Sequence, residues 1–499
     1  MNHRKIARVI TGAITALILA SPAVVAGPMD PVVVQAPPAD QGPPNVPGVR
    51  QIEDLSLDYV EEEYLVSGKA NLYNYAHNPP QGPTDIVAIQ ADIPYTTRMI
   101  VRRPVRKNKF NGTVIIEWWN STAGFDTAPV WDASAEYFGR NGIIYVGVTN
   151  STTSLSFLTG GCRQFGVLPP ACGTRYSTLS LPENGLAFEM MSQIATLLRG
   201  DSPDNPIPAN FDVERLYHAG QSQQGGSVIT YASAFDLPGI NDGYFVQQAA
   251  TARPINFGPR CDVGGSPPFP DCTPTLVFPD NLVRTDLLVP VYHAITQLDI
   301  EILFGVIGRQ ADTPTFRYYE IAGGGHVTAH KDIELVPAGL VGPDPILLEQ
   351  LCLNPINSTA DGPVFASYVF NALWERMHEQ TTDGSPPPAG SVMEVDFGSV
   401  VTDEFGNGLG GVRPPSIEVP VATYTSGNVA DPTLPPFLRQ IGNLACFLAG
   451  SVTPFDDATL QMLYPNRGQY VSGVAQAVES LKSQGLLLQG DAVKIKAAR

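Results

Sequence analysis

The sequence predicts an α/β protein with a mostly parallel sheet and helices on both faces. Apolar runs typical of buried strands alternate with helix-spaced apolar segments through the middle of the chain, a pattern typical of parallel sheets. Several of these strands are almost continuously apolar, as expected for strands that are covered on both faces. The composition, 43% hydrophobic and 16% charged over 499 residues, is that of a globular chain with a large core, arranged as two or three domains or as one elaborated domain.

Residues 1–26 predict a secretory signal peptide. Three Lys and Arg residues lie among the first eight positions, an apolar run follows over 10–20, and residues 24–26 form a small-residue cleavage site. The apolar run is too short for a stable membrane span, and a buried N-terminal helix is the alternative. No later stretch is apolar enough to cross a bilayer. We therefore expect a secreted or periplasmic protein without stable membrane insertion.

The first half of the chain predicts edge strands followed by a β-α-β unit. Residues 27–48 are rich in proline and small residues, which predicts an exposed, flexible lead-in without a core of its own. Residues 152–182 are loop-like. The remaining segments predict antiparallel edge strands over 52–75 and 95–103, a buried strand over 112–119, a helix over 131–140, a strand over 143–148 and a helix over 186–198.

The second half continues the same alternation. A Pro/Gly-rich excursion over 253–285 and the loop-like segment 152–182 both follow strand ends, where they can act as a lid. We expect a C-terminal helical extension over about 390–499. The other segments predict strands over 243–248, 288–295 and 316–321 and an amphipathic helix over 363–378.

Six cysteines, an even number in an exported chain, predict a disulfide framework. Two pairs bracket short loops, and the third pair follows by elimination. A zinc site is the competing interpretation, but the chain has no C-x-x-C motif and no paired histidines at ligand spacing. The expected pairs are Cys162 with Cys172, Cys261 with Cys272, and Cys352 with Cys446.

The segment Leu216–Gly226 predicts a nucleophile elbow, a sharp strand-to-helix turn that exposes a serine above the sheet. Glycines suit such a turn because it is strained and closely packed. In the usual pattern G-x-S-x-G, Gln224 here occupies the second glycine position, and two glycines follow it. A serine between glycines also occurs in plain turns. With a strand before it and a helix after it, we interpret Ser222 as the nucleophile of a serine hydrolase.

The acid that follows such a serine is expected after a later strand. The loop over 296–301 follows the strand that ends near Ile295 and offers two carboxylates. Asp299 comes first and lies nearer the strand end, so we favour it, with Glu301 as the reserve.

The base is expected after the acid. His326 lies in a glycine-rich loop beyond the strand that ends at Ile321, and such a loop lets the imidazole reach back across the strand ends. His330 is the alternative base. We interpret His218 and His293 as structural, because both lie within buried strands.

These groups predict acyl transfer through a Ser-His-Asp triad. His326 takes the proton as Ser222 attacks, and Asp299 orients the imidazole. The N–H of Gln223, with one from the loop at Asn120 and Ser121, is expected to hold the oxyanion.

Several stretches also carry a family resemblance. They are 114–122 (VIIEWWNST), 220–223 (GQSQ) and 319–326 (YEIAGGGH), with 410–415, 420–424, 454–456 and 463–465 near the C-terminus. Together they resemble a little-characterised family of α/β-hydrolase-domain proteins, many of them secreted.

The resemblance implies an α/β-hydrolase fold with acyl-ester hydrolase activity, and it agrees with Ser222 and His326 as site residues. It covers the chain from about residue 50 to the end, which implies a single domain over 49–499. Where the family tends to show E-T-D, this chain has Gln297-Leu298-Asp299, which leaves Asp299 as the acid. Family members often carry a small residue at the position of Gln224.

The leading function is therefore a secreted carboxylic-ester hydrolase acting on a neutral or apolar small-molecule or polymeric ester. The alternatives are an amidase or lactonase with the same triad, or an inactive hydrolase fold that serves as a binding protein. The net charge of −18 argues against nucleic acid as a partner, and we expect no metal or cofactor. Four aromatic residues near the oxyanion loop are candidates either for an acyl pocket or for core packing. They are Trp118, Trp119, Phe125 and Trp131.

Overall fold

The computed structural model describes most of the chain after residue 31. The expected signal peptide, the pair Cys261–Cys272 and His330 lie outside the described residues. Those described are 32–48, 51–53, 55, 58–77, 81–163, 171–255, 282–327, 334–336, 338, 341–357 and 366–498.

Nine strands form one sheet in the described part of the chain, in the order β1-β2-β3-β5-β4-β6-β7-β8-β9. The six strands from β5 to β9 across the sheet are parallel, whereas β1, β2 and β3 pair antiparallel at one side. The α/β architecture predicted from the sequence is confirmed. The strands are β1 Val33–Gln35, β2 Tyr59–Tyr75, β3 Ile86–Pro104, β4 Thr113–Trp118, β5 Ile144–Val148, β6 Arg215–Gln221, β7 Gly243–Gln247, β8 Val291–Thr296 and β9 Phe316–Ile321.

Helices cover both faces of this sheet. Two large hydrophobic clusters form the core. The first contains residues of the helices over 187–199 and 223–234, and the second contains residues of the helices over 129–140, 366–383, 467–483 and 489–497. The helices are α1 Pro129–Arg140, α2 Thr152–Thr159, α3 Ala187–Arg199, α4 Gln223–Ala234, α5 Gln297–Glu301, α6 Leu348–Leu351, α7 Ala366–Asp383, α8 Pro415–Glu418, α9 Pro436–Ala449, α10 Asp457–Leu463, α11 Arg467–Ser483 and α12 Gln489–Ala497.

The C-terminal part adds short hairpins to these helices. Cys352 and Cys446 form a disulfide there, and Cys162 and Cys172 form a second one, as expected for both pairs. No described helix has the length and apolarity needed to cross a membrane. The hairpins are β10 Glu334–Val336 with β11 Ile346–Leu347, β12 Val395–Asp396 with β13 Ser399–Val400, and β14 Ala422–Thr425 with β15 Ser451–Pro454.

The expected flexible lead-in over 27–48 is packed on the sheet where it is described. β1 pairs with β2, and two buried arginines of β3 hold the segment after it. The guanidinium of Arg98 donates to the Asn45 carbonyl at 2.5 Å, and that of Arg102 donates to the Pro47 carbonyl at 2.9 Å. Proline-rich composition did not predict this, because the anchoring groups come from a distant strand.

The segment 152–182 also contains a helix where the sequence predicts a loop. The Ser151 side chain caps α2 by accepting from the Thr153 N–H at 3.2 Å. Leu155 and Leu158, one helical turn apart, are both buried. A good N-cap and one apolar face therefore outweigh the low helix propensity of the Ser and Thr residues.

A buried carboxylate fixes the connection from β4 to α1. Glu117 is fully buried and accepts the first N–H groups of α1, from Val130 and Trp131, each at 2.9 Å. The Tyr145 hydroxyl donates to the same carboxylate at 2.7 Å. Burial raises the pKa of the Glu117 carboxyl to about 8. This contact holds both ends of the loop over 119–128, which borders the candidate active site.

Candidate active site

Ser222 sits at a strained turn between β6 and α4. Its backbone has φ 57° and ψ −123°, a left-handed φ that non-glycine residues rarely adopt and that costs about 1–3 kcal/mol. The Ser222 N–H donates to the Gln247 carbonyl at 2.9 Å, and the Ser222 carbonyl accepts from the Gly226 N–H at 3.1 Å. The side chain is only partly buried. This is the geometry expected of a nucleophile elbow.

Three glycines around the turn are required by close packing. A Cβ at Gly220 would lie 2.5 Å from the Gln224 carbonyl oxygen, and one at Gly225 would lie 2.8 Å from the Ala249 Cβ. A Cβ at Gly226 would lie 2.8 Å from the Thr251 carbonyl oxygen. The positions that need a small residue are therefore 220, 225 and 226. Position 224 is not one of them, so the turn tolerates the large side chain of Gln224.

His326 and Asp299 form a buried pair. The imidazole Nδ1 lies 2.5 Å from Asp299 Oδ1, and the two residues are 5% and 0% exposed. Asp299 Oδ2 accepts from the Thr296 N–H at 2.7 Å. The bond from the Thr296 N–H is part of a capping box at the start of α5, and the expected loop at 296–301 is a short helix.

Glu301 contacts other groups. Its carboxylate accepts from Gln297 Nε2 at 3.0 Å and from the Ser426 hydroxyl. It lies on the same short helix as Asp299, but of the two carboxylates it is Asp299 that contacts the imidazole.

The glycine loop that carries His326 is fastened to α5 and β8. The Gly323 N–H donates to Gln297 Oε1 at 2.8 Å, and the Gly324 carbonyl accepts from the Leu298 N–H at 3.1 Å. The Thr296 hydroxyl lies 2.8 Å from the Gly325 carbonyl oxygen and 2.9 Å from Asp299 Oδ2, so its single proton is donated to one of these two acceptors at a time. These hydrogen bonds therefore hold the loop that carries His326 in place against the helix that carries Asp299.

The other imidazole nitrogen faces the elbow. His326 Nε2 lies 3.4 Å from Nε2 of Gln221, the residue directly before Ser222. Among the described residues no hydrogen-bond partner of the Ser222 hydroxyl is found, so the serine and the imidazole approach the same strand ends without a direct hydrogen bond. Catalytic hydrogen bonds are often long without substrate and tighten when it binds.

A buried amide network joins the strand ends, and sequence reasoning did not identify its central members. Gln221 Nε2 donates to the His326 carbonyl at 3.2 Å and to Gln248 Oε1 at 3.3 Å. Gln248 in turn donates to the Thr296 hydroxyl and the Gly325 carbonyl. Asn120 Nδ2 donates to the backbone carbonyl and Oε1 of Gln221 at 3.1 and 3.0 Å. The sequence signal that could have identified Gln221 and Gln248 is the presence of a polar residue at the end of a buried strand or directly after it.

The expected oxyanion donors lie next to each other. The Asn120 N–H donates to the Thr127 carbonyl at 3.1 Å, so it is occupied. The N–H groups of Ser121 and Gln223 have no acceptor among the described residues. The Ser121 hydroxyl donates to Gln223 Oε1 at 3.1 Å, which joins the loop after β4 to the first residue of α4. Of the two loop residues, Ser121 is thus the one with an available N–H.

His218 and His293 are buried inside strands, consistent with a structural role. Burial lowers the pKa of the His218 imidazole to about 3 and that of His293 to about 4. His218 Nε2 is paired with Asn241, and His293 Nε2 is 2.7 Å from the Ala249 carbonyl.

The aromatic residues near the oxyanion loop divide between core and pocket. Trp119 and Trp131 are fully buried in the cluster that contains α1, and Phe125 packs against Phe157 with ring centroids 5.5 Å apart. Trp118 belongs to the opposite cluster and also lines a pocket beside the elbow. Of the four, Trp118 is therefore the one that borders this pocket.

That pocket lies against the first turn of α4 and has a volume of about 70 Å³. No group of three or more His, Cys, Asp and Glu side chains in the described part of the chain is arranged to hold a metal ion. The pocket is lined by Trp118, Asn150, Ser151, Thr153, Asn184, Ala187, Phe188, Gln223, Gln224, Ser227, Arg253 and Pro254.

Comparison with known proteins gives a family match over most of the chain. Residues 33–497 match the model of a family described as an alpha/beta hydrolase domain. No curated protein matches the chain.

Solved structures with some similarity include hydrolases from three organisms. A proposed dienelactone hydrolase from Klebsiella pneumoniae is 14% identical, with 47% of this chain and 74% of that chain covered and a TM-score of 0.24. Thermogutta terrifontis esterase 2, phosphoramylated by tabun, is 10% identical over 40% of this chain and 66% of its own, with a TM-score of 0.24. A glucuronoyl esterase from Teredinibacter turnerae is 12% identical, with coverages of 45% and 46% and a TM-score of 0.23. The chain thus spans about half to three quarters of the length of these proteins.

Proposed function

The chain belongs to the alpha/beta hydrolase domain family, and from this premise we propose that it is a secreted serine hydrolase that cleaves carboxylic esters through an acyl-enzyme. The observation that carries the proposal is the buried His326–Asp299 pair at the same sheet edge as the strained turn of Ser222. A structural histidine does not need a fully buried carboxylate at 2.5 Å and a second ring nitrogen turned toward an elbow.

The proposed reaction has two steps. In the first, the Ser222 hydroxyl attacks the ester carbonyl carbon while His326 Nε2 takes its proton, and the alcohol then leaves with that proton. In the second, His326 activates a water that attacks the acyl-enzyme, and the carboxylic acid is released as Ser222 regains its proton. Asp299 keeps the proton on Nδ1, so that Nε2 remains free to accept.

The oxyanion of each tetrahedral intermediate would be held by the N–H groups of Gln223 and Ser121. The absence of a described acceptor for both groups supports this role. The hydrogen bond between the side chains of the same two residues supports a fixed spacing between the donors. One such donor is typically worth about 3–4 kcal/mol of the barrier.

Two other functions stay in competition with ester hydrolysis. The same groups can cleave an amide or a lactone, because the acyl-enzyme chemistry is shared. An inactive hydrolase fold can also serve as a binding protein. A panel of chromogenic esters and amides separates the first alternative, and active-site labelling separates the second.

The test is labelling of the full chain with a fluorophosphonate probe. We expect wild-type protein to be labelled and Ser222→Ala to be unlabelled, while Ser233→Ala, a serine substitution on the same helix α4, is labelled like wild type. A wild-type protein that is folded and unlabelled would refute the proposal and favour the binding protein.

A further inference from the structure

The side chain of Gln224 is buried without a partner beside the elbow. It is 3% exposed, and neither its amide oxygen nor its amide nitrogen hydrogen-bonds to any described residue. Buried polar side chains are hydrogen-bonded in the large majority of cases, so an exception of this kind needs an explanation. Gln224 also lines the pocket against the first turn of α4, which gives a ligand access to the amide.

The other buried polar side chains that line the pocket each make at least one hydrogen bond to a described residue. Asn150 Nδ2 donates to the carbonyls of Trp119 and Val148, and Ser151 Oγ accepts from the Thr153 N–H. The Gln223 amide oxygen is taken by the Ser121 hydroxyl. Ser227 Oγ donates to the Gln223 carbonyl at 3.5 Å. Among the buried polar side chains of the pocket, Gln224 is therefore the one with no hydrogen bond to a described residue, and its amide can recognise a group placed there.

Arg253 is the charged residue among the described residues that line this pocket. Its backbone is fixed to α4, because its N–H donates to the Gly226 carbonyl at 3.1 Å and its carbonyl accepts from the Thr230 hydroxyl at 2.5 Å. Its stem crosses the first turn of the helix, since a Cβ at Gly226 would lie 2.8 Å from Arg253 Cγ. The pocket thus has an amide and an aromatic wall formed by Trp118 and Phe188, whose ring centroids are 5.9 Å apart.

We infer that this pocket binds a polar, oxygen-bearing group on the acyl part of the substrate. The Gln224 amide is its hydrogen-bond partner. We assign the pocket to the acyl part of the ester because Gln223, the residue after Ser222, both lines the pocket and carries a proposed oxyanion donor. The acyl part is also the part that remains attached to Ser222 in the acyl-enzyme. The inference rests on the proposed function and narrows the neutral or apolar ester that the sequence predicts to one with a polar acyl group.

The experiment compares ethyl esters whose acyl groups have nearly the same shape. They are monoethyl succinate with a carboxylate, ethyl succinamate with a carboxamide, and ethyl 4-methylpentanoate with an isopropyl group, followed by titration of the released acid. We expect the full-length wild-type enzyme to have a kcat/KM for both polar esters at least about tenfold above that for the apolar ester.

The variants assign this preference to residues. Gln224→Leu should lower kcat/KM for both polar esters by about tenfold or more and leave the apolar ester within about threefold. Gln476→Leu, the same substitution as at 224 but on an exposed face of α11, should leave all three unchanged.

Two results would overturn the inference. One is a wild-type preference for ethyl 4-methylpentanoate, which needs no variant and therefore decides the matter even if Gln224→Leu does not fold. The other is an equal loss on all three esters in a folded Gln224→Leu protein, which would mean that the residue supports the elbow and not the substrate. Fluorophosphonate labelling separates these results from failure of the proposed function, because a labelled enzyme that prefers the apolar ester contradicts only the pocket assignment.

Discussion

Replacing Asp299 by Asn tests the proposed triad most directly, because the structure determines how the amide must orient. Asp299 Oδ2 accepts from the Thr296 N–H at 2.7 Å. In Asp299→Asn the amide oxygen takes that side, since an NH₂ group there would meet the Thr296 backbone N–H, which can only donate. The NH₂ group then faces His326 Nδ1, where the carboxylate oxygen stood at 2.5 Å.

A donor at that position forces the wrong imidazole tautomer. Nδ1 must accept, so the ring proton moves to Nε2, and Nε2 can no longer take the proton of Ser222. We expect kcat to fall about 10⁴-fold, equivalent to about 5 kcal/mol of barrier. Both residues are almost completely buried, so water cannot easily restore the lost acceptor.

The assay is kcat/KM on a chromogenic ester, together with the rate of fluorophosphonate labelling. Glu301→Gln is the matched comparison, because it makes the same acid-to-amide change on the same short helix and is expected to keep activity within about threefold. Thermal unfolding of both variants checks that the proteins fold. An Asp299→Asn enzyme with more than about a tenth of wild-type activity, or a larger loss of activity in Glu301→Gln than in Asp299→Asn, would contradict the proposed role of Asp299.

Three further predictions concern the surroundings of the site. Gln221→Glu puts a carboxylate near His326 Nε2, which favours the protonated imidazole, so the acid limb of the kcat/KM profile should move to higher pH by about 1 unit or more; an unmoved limb would place Gln221 outside the network. Burial lowers the pKa of the His293 imidazole to about 4. Between pH 6.5 and 4 the unfolded chain therefore binds a proton at this histidine that the folded chain does not bind, and the free energy of unfolding decreases as the pH falls through that range. His293→Gln should therefore flatten the pH dependence of the free energy of unfolding there by up to about 1.4 kcal/mol per pH unit, measured by urea titration, and an unchanged slope would contradict a buried neutral imidazole. Gly225→Ala should lower the free energy of unfolding by about 1–3 kcal/mol, because its Cβ would lie 2.8 Å from that of Ala249, and full stability would mean that the elbow can widen without cost.

Local patterns were sufficient for the elements that build the sheet. The run over 316–321 is the strand β9 as predicted, and the segment 112–119 contains β4. Continuous apolar runs have few alternatives in a large α/β core, because both faces of such strands must be covered. The pattern failed for 152–159 and for the lead-in, where a single capping serine and two distant buried arginines decide the structure.

Residue patterns alone were enough to predict the α/β architecture, the strand-turn-helix at Ser222 and two of the disulfide pairs. These depend on residue type and on neighbours close in sequence. Only the tertiary structure decided that Asp299 and not Glu301 faces His326, that Gln221 links the strand ends, and that Gln224 is turned into a pocket while Gly225 packs against Ala249. The reason is physical: such contacts join strands that are far apart in the chain, and the register of the sheet brings them together.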